Sequence, residues 1–325
     1  MKYIITKVKK VNHHIDEYVG NNNIIKKIKI YIDLLYSIAR YGMNLDEYFQ
    51  YRFFGKRHFE KDKFFIYRKR MQIVKKYNDA QGMTIFDDKS LFNEKFKDYV
   101  KREWLDTKTS TFSDFEEFSN KCKKFIVKPA EGYYGLGVRI EEVYEGIDLK
   151  KLYSTLCEED ALLEEIIVQL DDISMFNPSS VNTLRVVSMN DGKNNIEITT
   201  ANLRMGNGLD KCADNFHHDG IAALIDIETG LVYTRGIDKY LNYHIKHPIS
   251  EKQIVGYKVP YWDEVKRTVK NASQVLSSVG YVGWDIAIGK DGDIIIIEGN
   301  PKADPDVSQL PDGIGKWEIY KKYLQ

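Results

Sequence analysis

Gly283-Trp284-Asp285-Ile286-Ala287-Ile288-Gly289-Lys290-Asp291-Gly292-Asp293-Ile294-Ile295-Ile296-Ile297-Glu298-Gly299-Asn300 reads as two strands joined by a tight turn. Asp291-Gly292 is a strong two-residue hairpin signal, because both central residues tolerate positive φ. That turn sets Asp285 opposite Glu298. Asn300 then shares the face of Glu298, since side chains alternate along a strand.

Two carboxylates facing each other across a sheet repel. They sit among Ile286, Ile295, Ile296 and Ile297, where burying unpaired charge is costly. A cation between them resolves the conflict. Every donor in the set is an oxygen, which suits Mg²⁺ accompanied by phosphate and water. The alternative is a pair of solvent-facing acids on an edge strand.

Outward from the hairpin, short β-branched runs alternate with turns. Strands are expected over Phe125–Lys128, Val138–Val143, Leu162–Val168, Val181–Met189, Ile196–Leu203, Ile221–Ile227 and Leu231–Thr234. Helices are expected over Asp148–Cys157, Tyr261–Ser278 and Lys316–Leu324. Hairpins outnumber strand–helix–strand crossings, so the fold class is α+β.

Lys128 ends a strand and enters Pro129-Ala130-Glu131-Gly132-Tyr133-Tyr134-Gly135-Leu136-Gly137. Gly132, Gly135 and Gly137 let backbone N–H groups approach an anion. No phosphate-loop pattern is present, and the loop leads into a strand rather than a helix, so the dinucleotide fingerprint fails its context. A flap with a lysine at its base remains, a lid over phosphates or an ordinary hairpin loop. Leu162–Val168 carries Glu164 and Glu165, which would meet an adenine amino group or ribose, or form a surface ion pair.

The first part of the chain is different. Lys+Arg and Asp+Glu are equal over the 325 residues, at 48 each, yet residues 1–80 hold 18 basic against 8 acidic side chains. Residues 24–41 read as an amphipathic helix, with Ile25, Ile28, Ile32, Leu35 and Ile38 or Ala39 at helical spacing and Gly42 as the stop. Leu45–Tyr51 reads as a second helix. Residues 56–78 read as a third, very basic one, interleaved with Phe59, Phe64, Phe65, Tyr67, Met71 and Val74. Such a helix either packs its aromatics inward and solvates its charges, or presents a nucleic-acid or membrane surface. The change of texture divides the chain into a basic helical region (1–83), a small lid subdomain (84–170) and a larger subdomain with the metal site (171–325).

Apolar runs are too short for a membrane-spanning helix. The first residues regain charge too soon for a signal peptide. Cys122, Cys157 and Cys212 form no CxxC pair, which excludes a disulfide framework and a cysteine zinc site and suits a cytoplasmic setting.

A lysine at a strand end with a glycine flap, a Glu-Glu strand, and Asp…Glu-x-Asn on a late hairpin together resemble the ATP-grasp superfamily over about residues 84–302. Val181-Asn182-Thr183-Leu184-Arg185, Asn202-Leu203-Arg204-Met205-Gly206, Asp214-Asn215-Phe216 with Gly220, and Gly283-Trp284-Asp285 resemble its sugar-transfer-associated subfamily. Glu47-Tyr48-Phe49 and Tyr51-Arg52-Phe53 look like that subfamily too. The resemblance implies two α+β subdomains gripping ATP. It implies that Lys128 and an upstream lysine (Lys89, with Lys95 as fallback) contact phosphates. The main chain of Glu165–Ile167 and the Glu164 side chain would bind adenine, and Asp171 or Asp172 the ribose. Asp285, Glu298 and Asn300 would hold two Mg²⁺ ions.

D-alanine ligases carry an arginine two residues before the metal-binding aspartate. Here that position is Gly283, so the role would pass to Arg185 or Arg204, either of which could equally be a structural ion-pair partner. The implied activity is a carboxylate–amine ligase working through an acyl phosphate in surface polysaccharide or amino-sugar and sugar-acid biosynthesis. Its substrates would be a small carboxylate and an amine, on a nucleotide-linked or phosphorylated sugar; no nucleic acid is expected. His217 and His218 would deprotonate the amine or have no duty. A peptide or small-metabolite ligase, and a silent nucleotide-binding scaffold, are the alternatives.

Overall fold

The computed structural model describes residues 2–20, 23–129, 137–193, 195–208, 216 and 219–325. Its strands are β1 (Trp104–Asp106), β2 (Lys124–Lys128), β3 (Arg139–Glu142), β4 (Leu162–Glu165), β5 (Thr183–Asn190), β6 (Ile196–Met205), β7 (Ile221–Leu224), β8 (Gly236–Ile237), β9 (Tyr243–His244), β10 (Tyr281–Ile288) and β11 (Ile294–Asn300). They form a small sheet in the order β1-β4-β2-β3 and a large one in the order β11-β10-β5-β6-β7-β8-β9. Among the described residues every strand pairing is antiparallel, in keeping with the α+β class.

The small sheet packs one face on the helices Phe112–Lys121 and Leu149–Glu158. Phe115, Phe118, Phe125, Val127, Leu156 and Leu163 fill that layer. Asp148 caps the second helix by accepting from the Lys151 N–H at 3.0 Å. The opposite face carries Ile126, Lys128, Ile140 and Glu164, since Ile126 pairs with both Ile140 and Glu164.

The large sheet is buried through its centre: all eight residues of β10 are buried. Its apolar face packs on the helix Trp262–Val275, whose Trp262, Val265, Val269 and Ala272 point inward. Trp284 packs against Phe86 and Phe96, and its indole N–H donates to Ser188 Oγ at 2.9 Å. Phe86, Phe92, Phe96 and Val100 join this core, so residues 84–100 pack with the large sheet and the small sheet's own strands begin at Trp104.

Three expectations are corrected. The helix Ile24–Tyr41 forms, capped by Asn23 and stopped by Gly42 at φ 69°. However, it packs through Ile30, Leu34, Ser37 and Tyr41, and the quoted isoleucine stripe faces outward; the helix is apolar on two sides. The basic segment 56–78 breaks into His58–Lys61 and Tyr67–Tyr77. Phe64, Phe65 and Ile66 lie between them, all buried, because three consecutive apolar residues cannot share one helix face. The Phe65 N–H donates to Gln309 Oε1 at 2.8 Å. Finally, β4 ends at Glu165 rather than Val168; Gln169 bridges to Gly289, and the Leu170 N–H donates to the Ile288 carbonyl at 3.0 Å, carrying the chain from the small sheet onto the large one.

Candidate active site

Asp285 lies opposite Glu298 and Gly283 opposite Asn300. The route to that pairing differs from the expected one. The turn has a three-residue loop, Lys290–Gly292, closed by the Gly289 N–H on the Asp293 carbonyl at 2.8 Å, with Gly292 at φ 85°. This shifts the register by one, and a bulge beside Asp285 shifts it back. A loop ending in a left-handed glycine is a common hairpin closure, and a bulge inserts one residue.

Across β10, Asp285 pairs with Arg185, and Arg185 with Asn202. One row of side chains therefore runs Glu298–Asp285–Arg185–Asn202. Arg185 grips Asp285 through Nε to Oδ1 and through Nη2 to Oδ2 at 2.9 Å. Arg204 Nη1 donates to the same oxygens at 3.1 and 3.0 Å. Burial alone would raise the Asp285 carboxyl, but the two guanidiniums outweigh it and hold the group well below the usual carboxylate range. Glu298 behaves oppositely. It keeps an exposed edge, yet lost hydration and the adjacent Asp285 charge push its carboxyl up, against the opposing pull of Lys128 and the arginines. Within the protein, the relief expected from a metal comes at Asp285 from arginine. Glu298 is left short of positive charge.

Gly283 explains how Arg185 reaches its place. A Cβ there would lie 3.2 Å from Arg185 Cδ and 2.6 Å from Ala303 Cβ. The arginine lies over the bare backbone of the residue at which D-alanine ligases carry theirs.

On the facing sheet, Lys128 Nζ donates to Glu164 Oε2 at 2.5 Å. Arg102 Nη2 and Asn93 Nδ2 donate to Oε1 at 2.9 and 3.1 Å. These cations overcome burial and hold the Glu164 carboxyl well below its usual range. Both of its oxygens are engaged, Oε1 twice and Oε2 once, and the residue is 3% exposed. Arg102 also donates to the carbonyls of Ile296 and Ile297 at 3.0 and 3.2 Å, tying the small sheet to β11 directly beside Glu298. Neither Arg102 nor Asn93 was expected, because one arginine in Lys101-Arg102-Glu103 carries no spacing signal.

The Glu165 side chain accepts the Glu103 N–H at 3.0 Å, and Ile167 is half-buried on the connecting segment. Asp171 and Asp172 are exposed. Lys89 and Lys95 are both exposed on the helix Lys89–Lys95. Lys89 lies one turn before Asn93 and shares its face, whereas Lys95 points about 200° round from Asn93. Gly137 has φ 80°. Gly132, Gly135, Asp214, Asn215, His217, His218 and Cys212 lie outside the described residues.

Truncating Arg102 would leave Glu164 with one fewer cation and take a donor from the carbonyls of Val100, Ile296 and Ile297. Arg102→Ala is expected to cost about 3–5 kcal/mol, the range for breaking a buried ion pair from one side. Urea unfolding measures it. The Glu164 contribution is present above the ordinary glutamate pKa and fades as pH falls, so the gap between variant and wild type should narrow in acid.

The model of the sugar-transfer-associated ATP-grasp family matches residues 68–322. This chain belongs to that family. No curated protein matches it. Among solved structures, the ATP-grasp ligase PsnB with a precursor variant, Mg and ADP is 15% identical at a TM-score of 0.45, over 76% of this chain and 61% of PsnB. N5-carboxyaminoimidazole synthetase from Staphylococcus aureus with ADP is 14% identical, covering 71% and 48%, at 0.44. Biotin carboxylase from Campylobacter jejuni is 15% identical, covering 74% and 47%, at 0.46. The chain thus spans about three fifths of the PsnB chain. The sugar-transfer-associated ATP-grasp member described here has the family's α+β fold of two sheets. Among the described residues, no helix is long and apolar enough to cross a membrane.

Proposed function

We propose that the protein is an ATP- and Mg²⁺-dependent carboxylate–amine ligase acting on a sugar acid or amino-sugar precursor in surface polysaccharide biosynthesis. The observation that carries this reading is the meeting of two sites: Arg102 holds Glu164, the partner of Lys128 on the small sheet, and also bonds the carbonyls of Ile296 and Ile297, beside Glu298 and the Asp285 hairpin on the large one.

The residues fit a hard divalent cation. Asp285 and Glu298 face each other across the hairpin, with Asn300 two positions on and its Oδ1 accepting the Lys302 N–H at 3.0 Å; the Glu298 carboxyl, pushed up beside Asp285, gains most from a cation. Bound there with nucleotide, Mg²⁺ would offset charge on the phosphate oxygens. Lys128, with Lys89 on the face of Asn93, would grip the phosphates. The adenine would lie against Ile126 and Ile140 and hydrogen-bond the main chain of Glu165–Ile167, with Asp172 near the ribose. Glu164 is assigned to position Lys128 rather than to touch the base.

In the reaction, a carboxylate oxygen of the acceptor attacks the γ-phosphorus and the bond to ADP breaks. Arg185, and behind it Arg204, offset charge on the transferring group and on the acyl phosphate. The amine then attacks the acyl carbon, loses a proton, and phosphate departs with the original carboxylate oxygen.

Turnover against panels of sugar acids and amines tests this. ADP release should require both substrates, and ¹⁸O from the carboxylate should appear in phosphate. ADP formed without a carboxylate would overturn it. Lys89→Ala should raise the KM for ATP about ten- to hundredfold, as expected for a lost charged contact, while Lys95→Ala leaves it unchanged.

A further inference from the structure

The outward stripe on the helix Ile24–Tyr41 is used by nothing in the proposed ligase. Ile25, Ile28, Ile32 and Leu35 are 53–65% exposed. At 100° per residue they fall within one 80°-wide band, opposite the buried face formed by Ile30, Leu34 and Tyr41. Tyr36, at the band's edge, packs edge-on to His58 with ring centroids 5.3 Å apart. That contact joins the stripe to Phe59, which is 54% exposed and flanked by the cations of Arg57 and Lys63 at 5.1 and 5.9 Å from its ring. Lys29 and Arg40 border the stripe on the helix and are themselves exposed. Residues 1–80, to which this helix belongs, carry a net excess of ten positive charges.

An apolar band with lysine and arginine along one edge, exposed Ile24 and Ile38 along the other and aromatics at its rim matches a helix lying in a membrane interface. A second copy fits poorly. One helix face supplies far less than the roughly 800 Å² per partner of a standard interface. We infer that this face docks on an anionic lipid surface, with the helix parallel to the plane, its isoleucines in the acyl boundary and its cations among the headgroups. The inference is independent of the ligase chemistry.

The test is co-sedimentation of the full chain with vesicles of phosphatidylcholine alone or mixed with phosphatidylglycerol. The chain should partition onto the mixed vesicles and be released by salt. Ile28→Glu with Ile32→Glu should weaken partitioning about tenfold or more. Lys29→Glu with Lys63→Glu should do the same on mixed vesicles. Circular dichroism should show both double variants folded, since every altered side chain is outside the core. No binding to mixed vesicles, equal binding to both vesicle types, or binding indifferent to the isoleucine changes would overturn the inference. So would a dimer in sedimentation velocity that the isoleucine changes dissolve.

Discussion

Glu298→Gln is expected to lower ADP formation about a hundred- to thousandfold, the range for removing one preorganised electrostatic group, while leaving the fold at least as stable at neutral pH. The two effects separate because Glu298 does not serve the folded state. Its carboxyl is pushed up by lost hydration and by Asp285. An acid whose pKa is raised on folding favours the fold below its unfolded pKa and loses that contribution as pH rises through the folded value. At neutral pH the glutamine removes a charge that the protein alone does not compensate. Asp285→Asn should behave differently. It strands Arg185 and Arg204 against a neutral partner in a buried site, at a cost of about 3–5 kcal/mol, and it should lose turnover as well. Measuring kcat and urea midpoints on both variants decides the matter. A Glu298→Gln protein that unfolds more easily than wild type would show that the glutamate is structural. Mg²⁺ with a non-hydrolysable ATP analogue gives a reading without turnover: it should raise the melting temperature of the wild type more at alkaline than at acid pH, and that pH dependence should be lost in Glu298→Gln.

The hairpin at the heart of this site could be read from its own residues because its determinants are local. Asp291-Gly292 marked the turn, and alternation marked the faces. Even so, the pairing of Asp285 with Glu298 rests on a three-residue loop and a bulge that offset each other, which local turn chemistry does not report. The partners of Asp285 are a different kind of fact. Arg185 is 100 positions away and Arg204 is 81, and which strand would lie beside β10 is set by packing of the whole sheet. Arg102 is one of 48 basic residues, and only the approach of the small sheet to β11 singles it out. The helix Ile24–Tyr41 fails for a third reason. Periodicity finds an apolar face but does not say which of two such faces the core covers, and here it covered the one with a serine and a tyrosine.

Gly283→Ala should reduce kcat about a hundredfold with little change in the KM for ATP. The added methyl would lie 2.6 Å from Ala303 Cβ and 3.2 Å from Arg185 Cδ. Ala303 is fully buried and its Cβ moves only with the backbone, so β10 must shift to relieve that contact, while the flexible arginine gives way at the other. Overpacking of this sort costs about 1–3 kcal/mol, but the larger loss is geometric: Arg185 holds Asp285 through two parallel bonds, and a displaced guanidinium would lose the aim at the phosphoryl group that the proposed mechanism gives it. Arg185→Ala should fall at least as far, and Arg185→Lys should not recover it, because a lysine cannot reproduce the fork. The decisive variant carries Arg185→Ala together with Gly283→Arg. Removing the Arg185 side chain relieves the 3.2 Å contact, and Ala303→Gly, carried as a common background in this variant and its Arg185→Ala reference, relieves the 2.6 Å one; the new arginine then stands two positions before Asp285, as in the D-alanine ligases. Partial recovery of kcat in that double variant, relative to the Arg185→Ala reference, would establish that the guanidinium's position matters rather than its strand of origin. A double variant no better than the single one, in a protein that still folds and binds ATP, would reassign Arg185 to holding Asp285 in place and leave the transferring phosphoryl to Arg204.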